Sequence, residues 1–272
     1  MEKNVEIIER LDDWRERYGR WPGKAAGAGD NLEGYPFVEN GRAPFVPLRR
    51  ALPLLNLALV TSAGAYIDGT EPFDANAPGG DVSFREIPSS IGAEDLRYVA
   101  RGYDPAAVQK DMNVQIPLAR LFEFQNNGII GQLAPAFFSF CGFIPDAGKL
   151  VAETLPRLVE RVRRYEAQAA LLIPASRLCH QTMALAARAL EIAGLPTMML
   201  AVEKQILETV RPPRAAYYKG QFGSVAGQPE WPQHQRRVLD EALRTLEPMG
   251  EPGLRLLSVE LETQVEIERG EK

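Results

Sequence analysis

The stretch AALLIPASRLCHQTMALAARALEIAGLPTMMLAVE, residues 169–203, decides the fold. It opens with an apolar run over 169–175 that breaks at Pro174. A helix-like segment over 179–194 follows, stopped by Gly194 and Pro196, and then a second apolar run, 197–203. Apolar runs of this length bounded by turn residues read as strands buried on both faces. Strand, helix and strand in succession make a crossover unit, which sets the two strands parallel.

Working outward, the same alternation recurs. LNLALVTSAGA (55–65) and APAFFSFCG (134–142) read as further buried strands, and RAAYY (214–218) and LRLLSVEL (254–261) as two more. Between them, 117–128 begins at Pro117 and ends at Gly128, the punctuation of a helix. A second helix is expected from Pro145 and Asp146 to about Gln168, with Pro156 as its kink, and a third over 233–246. The expected fold is therefore α/β, a mostly parallel sheet flanked by helices in Rossmann-like layers, with the strands' C-terminal ends on one edge.

Ahead of this body, Val5, Ile8, Leu11, Trp14 and Tyr18 recur at helical spacing, so 3–18 predicts an amphipathic helix. Gly and Pro residues then punctuate the chain to Pro47, and Trp21, Tyr35, Phe37 and Phe45 among them suit a segment lying along a surface. The organisation read from these shifts is an N-terminal helical arm at 1–18, a Gly/Pro-rich linker at 19–50, an α/β domain at 51–265 and a flexible tail at 266–272.

Composition limits the function classes. The 272 residues are 45% hydrophobic and 25% charged with a net charge of −5, the wrong sign for a surface that neutralises nucleic acid or anionic lipid. Two cysteines and two histidines cannot supply a disulfide framework or a zinc-type ligand quartet, so neither a metal nor a resident cofactor is expected. The charged N-terminus has no secretory pattern, and the longest apolar stretch, 52–65, is interrupted by Pro53, Asn56, Thr61 and Ser62. A cytoplasmic protein with no membrane span is the expectation.

The chemistry concentrates in IPASRLCHQT (173–182), where a buried strand gives way to a helix. Ser176 suits the N-cap, which places Cys179 near the third helical position, among unpartnered backbone N–H groups that depress a thiol pKa. His180 can hold or shuttle a proton. Their plain alternatives are a cap, a small buried hydrophobe and a surface residue. Cys141 also follows a buried strand; it forms a redox pair with Cys179 if the strands at 134–141 and 169–175 are neighbours, and is otherwise an unpaired core thiol. Ser62 and Asp68, at a Gly-containing strand end, are candidates for substrate contact or for a turn. Asp81 and Arg85 offer either a carboxylate-binding fork or a solvated ion pair. Asp104, Asp111 and Asn113 suit loop hydrogen bonding. The glycines of 219–229 lack a Gly-Lys-Ser/Thr ending, and GAGD (27–30) follows no strand, so nucleotide binding is not expected.

Read together, PFVPLRRAL (44–52), LALVTSAGAY (57–66), GDVSFREIP (80–88), YDPAAVQKDMNVQIPLARL (103–121), GIIGQLAPAFFSFCGFIPD (128–146), PASRLCHQTMALAARALEIAGLPT (174–197) and RPPRAAYY (211–218) resemble the selenoprotein B family of glycine, sarcosine, betaine and D-proline reductases, above all its D-proline branch. The resemblance spans roughly 44–248. It implies a thiol-dependent reductase subunit that cleaves C–N in a small amino-acid-like substrate, works with a partner reductase subunit and is oligomeric. The family's selenocysteine lies three residues before the cysteine of a Cys-His-Gln motif, here Cys179, His180 and Gln181. This chain has Ser176 at that position, and a hydroxyl cannot form the corresponding bridge. Three readings follow: reductive chemistry with Cys179 as nucleophile, Ser176 hydrogen-bonding its thiolate and Cys141 as resolving thiol; a non-redox reaction using Cys179 and His180; or a silent subunit that binds a ligand or partner.

Overall fold

Apolar side chains at most positions explain the central strands, since each strand is covered on both faces. The computed structural model describes residues 5–24, 31–259, 265, 268 and 269. In chain order its elements are α1 (Leu11–Arg20), β1 (Asn56–Thr61), β2 (Ala65–Ile67), β3 (Phe84–Pro88), β4 (Leu96–Tyr98), α2 (Ala106–Lys110), α3 (Leu118–Asn126), β5 (Gln132–Leu133), β6 (Ala136–Phe140), α4 (Ala147–Lys149), α5 (Leu155–Arg164), β7 (Ala169–Ile173), α6 (Arg177–Ile192), β8 (Thr197–Ala201), α7 (Lys204–Val210), β9 (Arg214–Tyr217), α8 (Pro232–Arg244) and β10 (Gly253–Leu256).

The main sheet runs β10-β9-β8-β7-β1-β6-β3, with the short β5 also on β1. All pairings are parallel except that of β3, which runs antiparallel to β6 along one margin. This is the α/β, mostly parallel sheet expected. From β1 the chain goes to β6 on one side and then crosses to β7 on the other, so the direction of winding switches between β1 and β7. Crevices form at such switches, beyond the strands' C-terminal ends.

Alternation along the strands divides the core in two. Ala58, Val60, Phe138, Phe140, Ala170 and Leu172 face α5, α6 and α7, together with Ile8, Trp14, Tyr18, Trp21, Tyr35 and Val38 of the arm and linker. Leu57, Leu59, Phe137, Leu171 and Ile173 face α3, α8 and the β2–β4 hairpin. Helix α6 is buried almost all round.

The polar side chains of α6 stitch the linker down. Gln181 Oε1 accepts from Val38 N at 2.7 Å, and Glu191 Oε2 accepts from Val46 N at 2.6 Å. Glu191 also forms a wholly buried ion pair with Arg214, and Arg188 donates to the carbonyls of Glu6, Ile7, Arg42 and Arg211.

Several expectations need correction. Of the helix expected over 3–18, residues 3 and 4 lie outside the described residues; residues 5–10 are not helical and the helix begins at Leu11, because the carbonyls of Glu6 and Ile7 are taken by Arg188 and the Glu9 carboxylate accepts from Gly41 N and Arg42 N. DVSFREIP (81–88), for which no strand was expected, contains β3, whose half-exposed face suits a sheet margin. The helix expected over 145–168 is capped by Asp146 and irregular at Pro156 as expected, α4 running through a π turn at Leu150–Thr154 into α5 just before Pro156, which has no N–H to donate, but it ends at Arg164 and not near Gln168. Strands β6 and β7 are not neighbours, since β1 lies between them. The tail at 266–272 falls almost wholly outside the described residues, and GAGD (27–30) lies outside them altogether. Among the described residues no helix is long and apolar enough to cross a membrane.

Candidate active site

The switch between β1 and β7 gathers three backbone turns. Helix α6 starts as its sequence predicts: Ser176, in extended conformation, is the N-cap, and Cys179 is the third helical residue. The Ser176 hydroxyl accepts from Cys179 N at 3.3 Å and donates to Cys179 Sγ at 2.9 Å. One oxygen thus caps the helix and solvates the sulfur.

Ser62, just past β1, lies on the other side of the sulfur. Its N donates to Ile173 O at 3.0 Å and its Oγ accepts from Ala175 N at 2.9 Å, which ties the end of β1 to the end of β7. Gly142, just past β6, completes the enclosure: a Cβ there would stand 2.3 Å from Ser62 Cβ and 3.0 Å from Cys179 Sγ. Only glycine lets the chain pass, and Thr182 Oγ1 fixes it by donating to Gly142 O at 2.7 Å.

Cys179 is only 1% exposed. Burial raises its thiol pKa, against the opposing pull of the Ser176 and Ser62 hydroxyls and of the backbone N–H groups of Ser176 and Ala175. The depressed pKa expected from the helix terminus is therefore corrected: in the closed chain, desolvation outweighs the donors. The donors remain in place for a thiolate when a compensating positive charge enters.

His180, expected to hold or shuttle a proton, is enclosed and bonded to backbone on both ring nitrogens. It is 0% exposed, and Val202 N donates to its Nε2 at 3.1 Å, which leaves the proton on Nδ1, 2.7 Å from Ser176 O. Both nitrogens are spent on backbone, and burial pushes the pKa down to about 4. The neutral ring ties α6 to β8.

Cys141 and Cys179 are both free thiols. Alternation along β6 sends Cys141 toward the face of Phe137, where its Sγ lies 3.6 Å from Val99 O. Cys179 reaches the sheet edge from the α6 face. Burial, and next the nearby Cys179, push the Cys141 thiol up to about 12, and the charge of Arg101 opposes that rise.

The remaining candidates lie apart from the sulfur. Arg85 donates to Glu71 O, Pro72 O and Ser83 Oγ and stands over the Phe73 ring, while Asp81 accepts from Ser83 N and Asp74 N, so the two brace the loop before β3. Asp68 pairs with Arg97 at 2.7 Å on the exposed hairpin. Gln181 Nε2 donates to the Tyr35 hydroxyl at 2.8 Å and holds the linker.

Two walls were missed in the sequence. In the segment Arg101 to Tyr103, Gly102, at φ +73°, would place a Cβ 3.1 Å from Ser176 Cβ, and the Tyr103 hydroxyl donates to Ala63 O at 2.6 Å. In the loop after β9, Gly223 N donates to Ala175 O at 2.8 Å, and the 39% exposed Phe222 stands edge-on to His180 at 5.7 Å. The tight Gly102 and Gly223 turns were the available signals, but a glycine in a sequence does not say what it passes.

Comparison with characterised proteins gives three relatives. The chain is 30% identical over 202 residues to D-proline reductase subunit gamma of Acetoanaerobium sticklandii, a match covering 74% of this chain and 82% of that subunit. It is 29% identical over 184 residues to the sarcosine reductase complex component B subunit beta of Peptoclostridium acidaminophilum, and 26% identical over 187 residues to the glycine reductase complex component B subunit gamma of Symbiobacterium thermophilum. Those two matches cover 65% of this chain but only 41% of either relative. No family model matches the chain, and no solved structure matches it.

Proposed function

The chain belongs to the selenoprotein B family of D-proline, sarcosine and glycine reductases, and from that membership we propose that it is the thiol-bearing subunit of a reductase that cleaves C–N in a small amino-acid-like substrate. The observation that carries the reading is the Ser176 hydroxyl 2.9 Å from the Cys179 sulfur at the turn from β7 into α6. A hydroxyl aimed at a sulfur that also has helix N–H groups around it offsets part of the desolvation that raises the Cys179 pKa.

In this reading the Cys179 sulfur attacks the carbon that carries nitrogen. A C–S bond forms as the C–N bond breaks, and the thiol proton passes to the leaving nitrogen. A second thiol then attacks sulfur: an S–S bond forms, the C–S bond breaks, and the carbon takes the electron pair and a proton. An external dithiol reduces the resulting disulfide. Ser176 cannot be the second thiol. In this reading the second thiol comes from a partner subunit or from the dithiol itself, because the Cys141 sulfur is turned to Val99 O, 3.6 Å away.

The test is turnover of D-proline, sarcosine and glycine with dithiothreitol, using the chain purified with the proteins that accompany it. Cys179→Ala should abolish product formation; undiminished turnover would remove Cys179 from the mechanism. The burial of Cys179 favours a second reading, a subunit that binds a ligand without reacting. It predicts the same turnover in Cys179→Ala as in the parent.

A further inference from the structure

We propose that Phe222 is the gate of this site: the ring at the tip of the loop between β9 and α8 closes the way to the Cys179 sulfur and sets the size of the molecule that reaches it. The inference rests on the reading of Cys179 as the reacting atom, since a sulfur so fully buried reacts only when a wall gives way. The turns past β6 and at Gly102 are pinned. Thr182 Oγ1 holds Gly142 O, and Phe143 and Ile144 beyond it are buried. The Tyr103 hydroxyl holds Ala63 O, and the Gly102 backbone packs against the Phe143 ring.

The loop after β9 is built differently. Its feet are fixed: Tyr218 N donates to Ala201 O at 3.2 Å, the Tyr218 hydroxyl to Val225 O at 3.0 Å, and Ala226 N to Val114 O at 2.8 Å. Between these feet Lys219, Gln221 and Phe222 are exposed. Gly223, at φ +76°, turns the chain back, and a Cβ there would stand 2.8 Å from both Tyr103 Cδ2 and Asp104 O. Its N–H donates to Ala175 O at 2.8 Å, so the loop meets the Gly102–Tyr103 turn above the start of α6. Phe222 bears edge-on upon His180, with ring centroids 5.7 Å apart. The histidine is a fixed seat, because both of its ring nitrogens are bonded to backbone. A segment with anchored ends, an exposed tip and a ring laid on a fixed partner opens by lifting that ring, at a cost well below that of unfolding.

The experiment labels the full chain at pH 8.5 with iodoacetamide and with the bulkier N-phenylmaleimide, and follows both thiols by peptide mass spectrometry. Where opening is fast relative to labelling, the rate follows the open fraction. Phe222→Ala should raise the iodoacetamide rate at Cys179 by roughly threefold to tenfold, the effect of losing a ring contact, and the N-phenylmaleimide rate by more. Phe222→Tyr, which keeps the ring, should stay near the parent. Cys141, whose sulfur lies at Val99 O, should label at the parent rate in every variant. An unchanged Cys179 rate in Phe222→Ala, an equal gain for the two reagents, or a parallel rise at Cys141 overturns the gate. Should Phe222→Ala fail to fold, Phe222→Leu decides, because a Cys179 rate no faster than the parent's there removes the gate. Failure of the thiol reading shows separately, as undiminished turnover in Cys179→Ala.

Discussion

The Ser176 hydroxyl and the Cys179 sulfur are bonded to one another across the first turn of α6, the oxygen donating to Sγ at 2.9 Å and accepting from the Cys179 N–H at 3.3 Å. The pair makes the sulfur's ionisation a contest between donors and burial, and burial prevails, so the pKa lies above the ordinary 9.0. Labelling of Cys179 by iodoacetamide should therefore climb through pH 7 to 9 without a plateau. Ser176→Ala, which removes one donor, should slow it further and cost about 1 kcal/mol through the lost cap. Rates from peptide mass spectrometry check this; a plateau below pH 8 contradicts it.

His180 sets a pH limit on the fold. Its pKa is about 4 in the folded chain, through burial, against 6.5 when free. Between those values the unfolded chain takes up a proton that the folded chain refuses. The contribution, of order 3 kcal/mol, is thus fully present above pH 6.5 and lost as pH falls toward 4. Urea unfolding of the parent should lose stability over that window more steeply than His180→Gln. Equal pH dependence would mean that the ring is not held neutral.

The linker depends on a buried ion pair. Glu191 accepts from Val46 N, Thr197 N and Arg214, and Arg214 also donates to Val46 O. Glu191→Ala leaves the Arg214 charge buried without its carboxylate and should cost about 3–5 kcal/mol. Proteolysis should then cut the linker near Pro47 before it cuts the sheet. Unchanged stability and cleavage would show that the linker is held by other contacts.

The strands and the start of α6 were legible because their signals are local: apolar runs between Gly and Pro, and a serine three residues ahead of a cysteine. The same locality fixed Ser176 and Cys179. What was not legible depends on contacts distant in sequence. Residues 5–10 match helical periodicity, yet Arg188, some 180 positions away, takes their carbonyls. Cys179 carries the sequence marks of an acidic thiol, but it is enclosed by chain distant in sequence, such as Gly142 beyond β6, and this burial outweighs the donors, Ser62 beyond β1 among them. His180 looked like a proton carrier until Val202 N was found on its ring. The family resemblance singled out the turn at Ser176 and Cys179 and could not reveal how deeply the sulfur sits.

The most direct test of the account is oxidation of the parent and of Ser176→Cys with diamide, followed by peptide mapping. At the 2.9 Å separation now spanned by oxygen and sulfur, a cysteine at 176 should close a reversible disulfide with Cys179 within one helical turn. The parent should give no bridge between Cys141 and Cys179. Failure of the 176–179 bridge to form, or a Cys141–Cys179 bridge in the parent, would contradict the placement of the reactive sulfur.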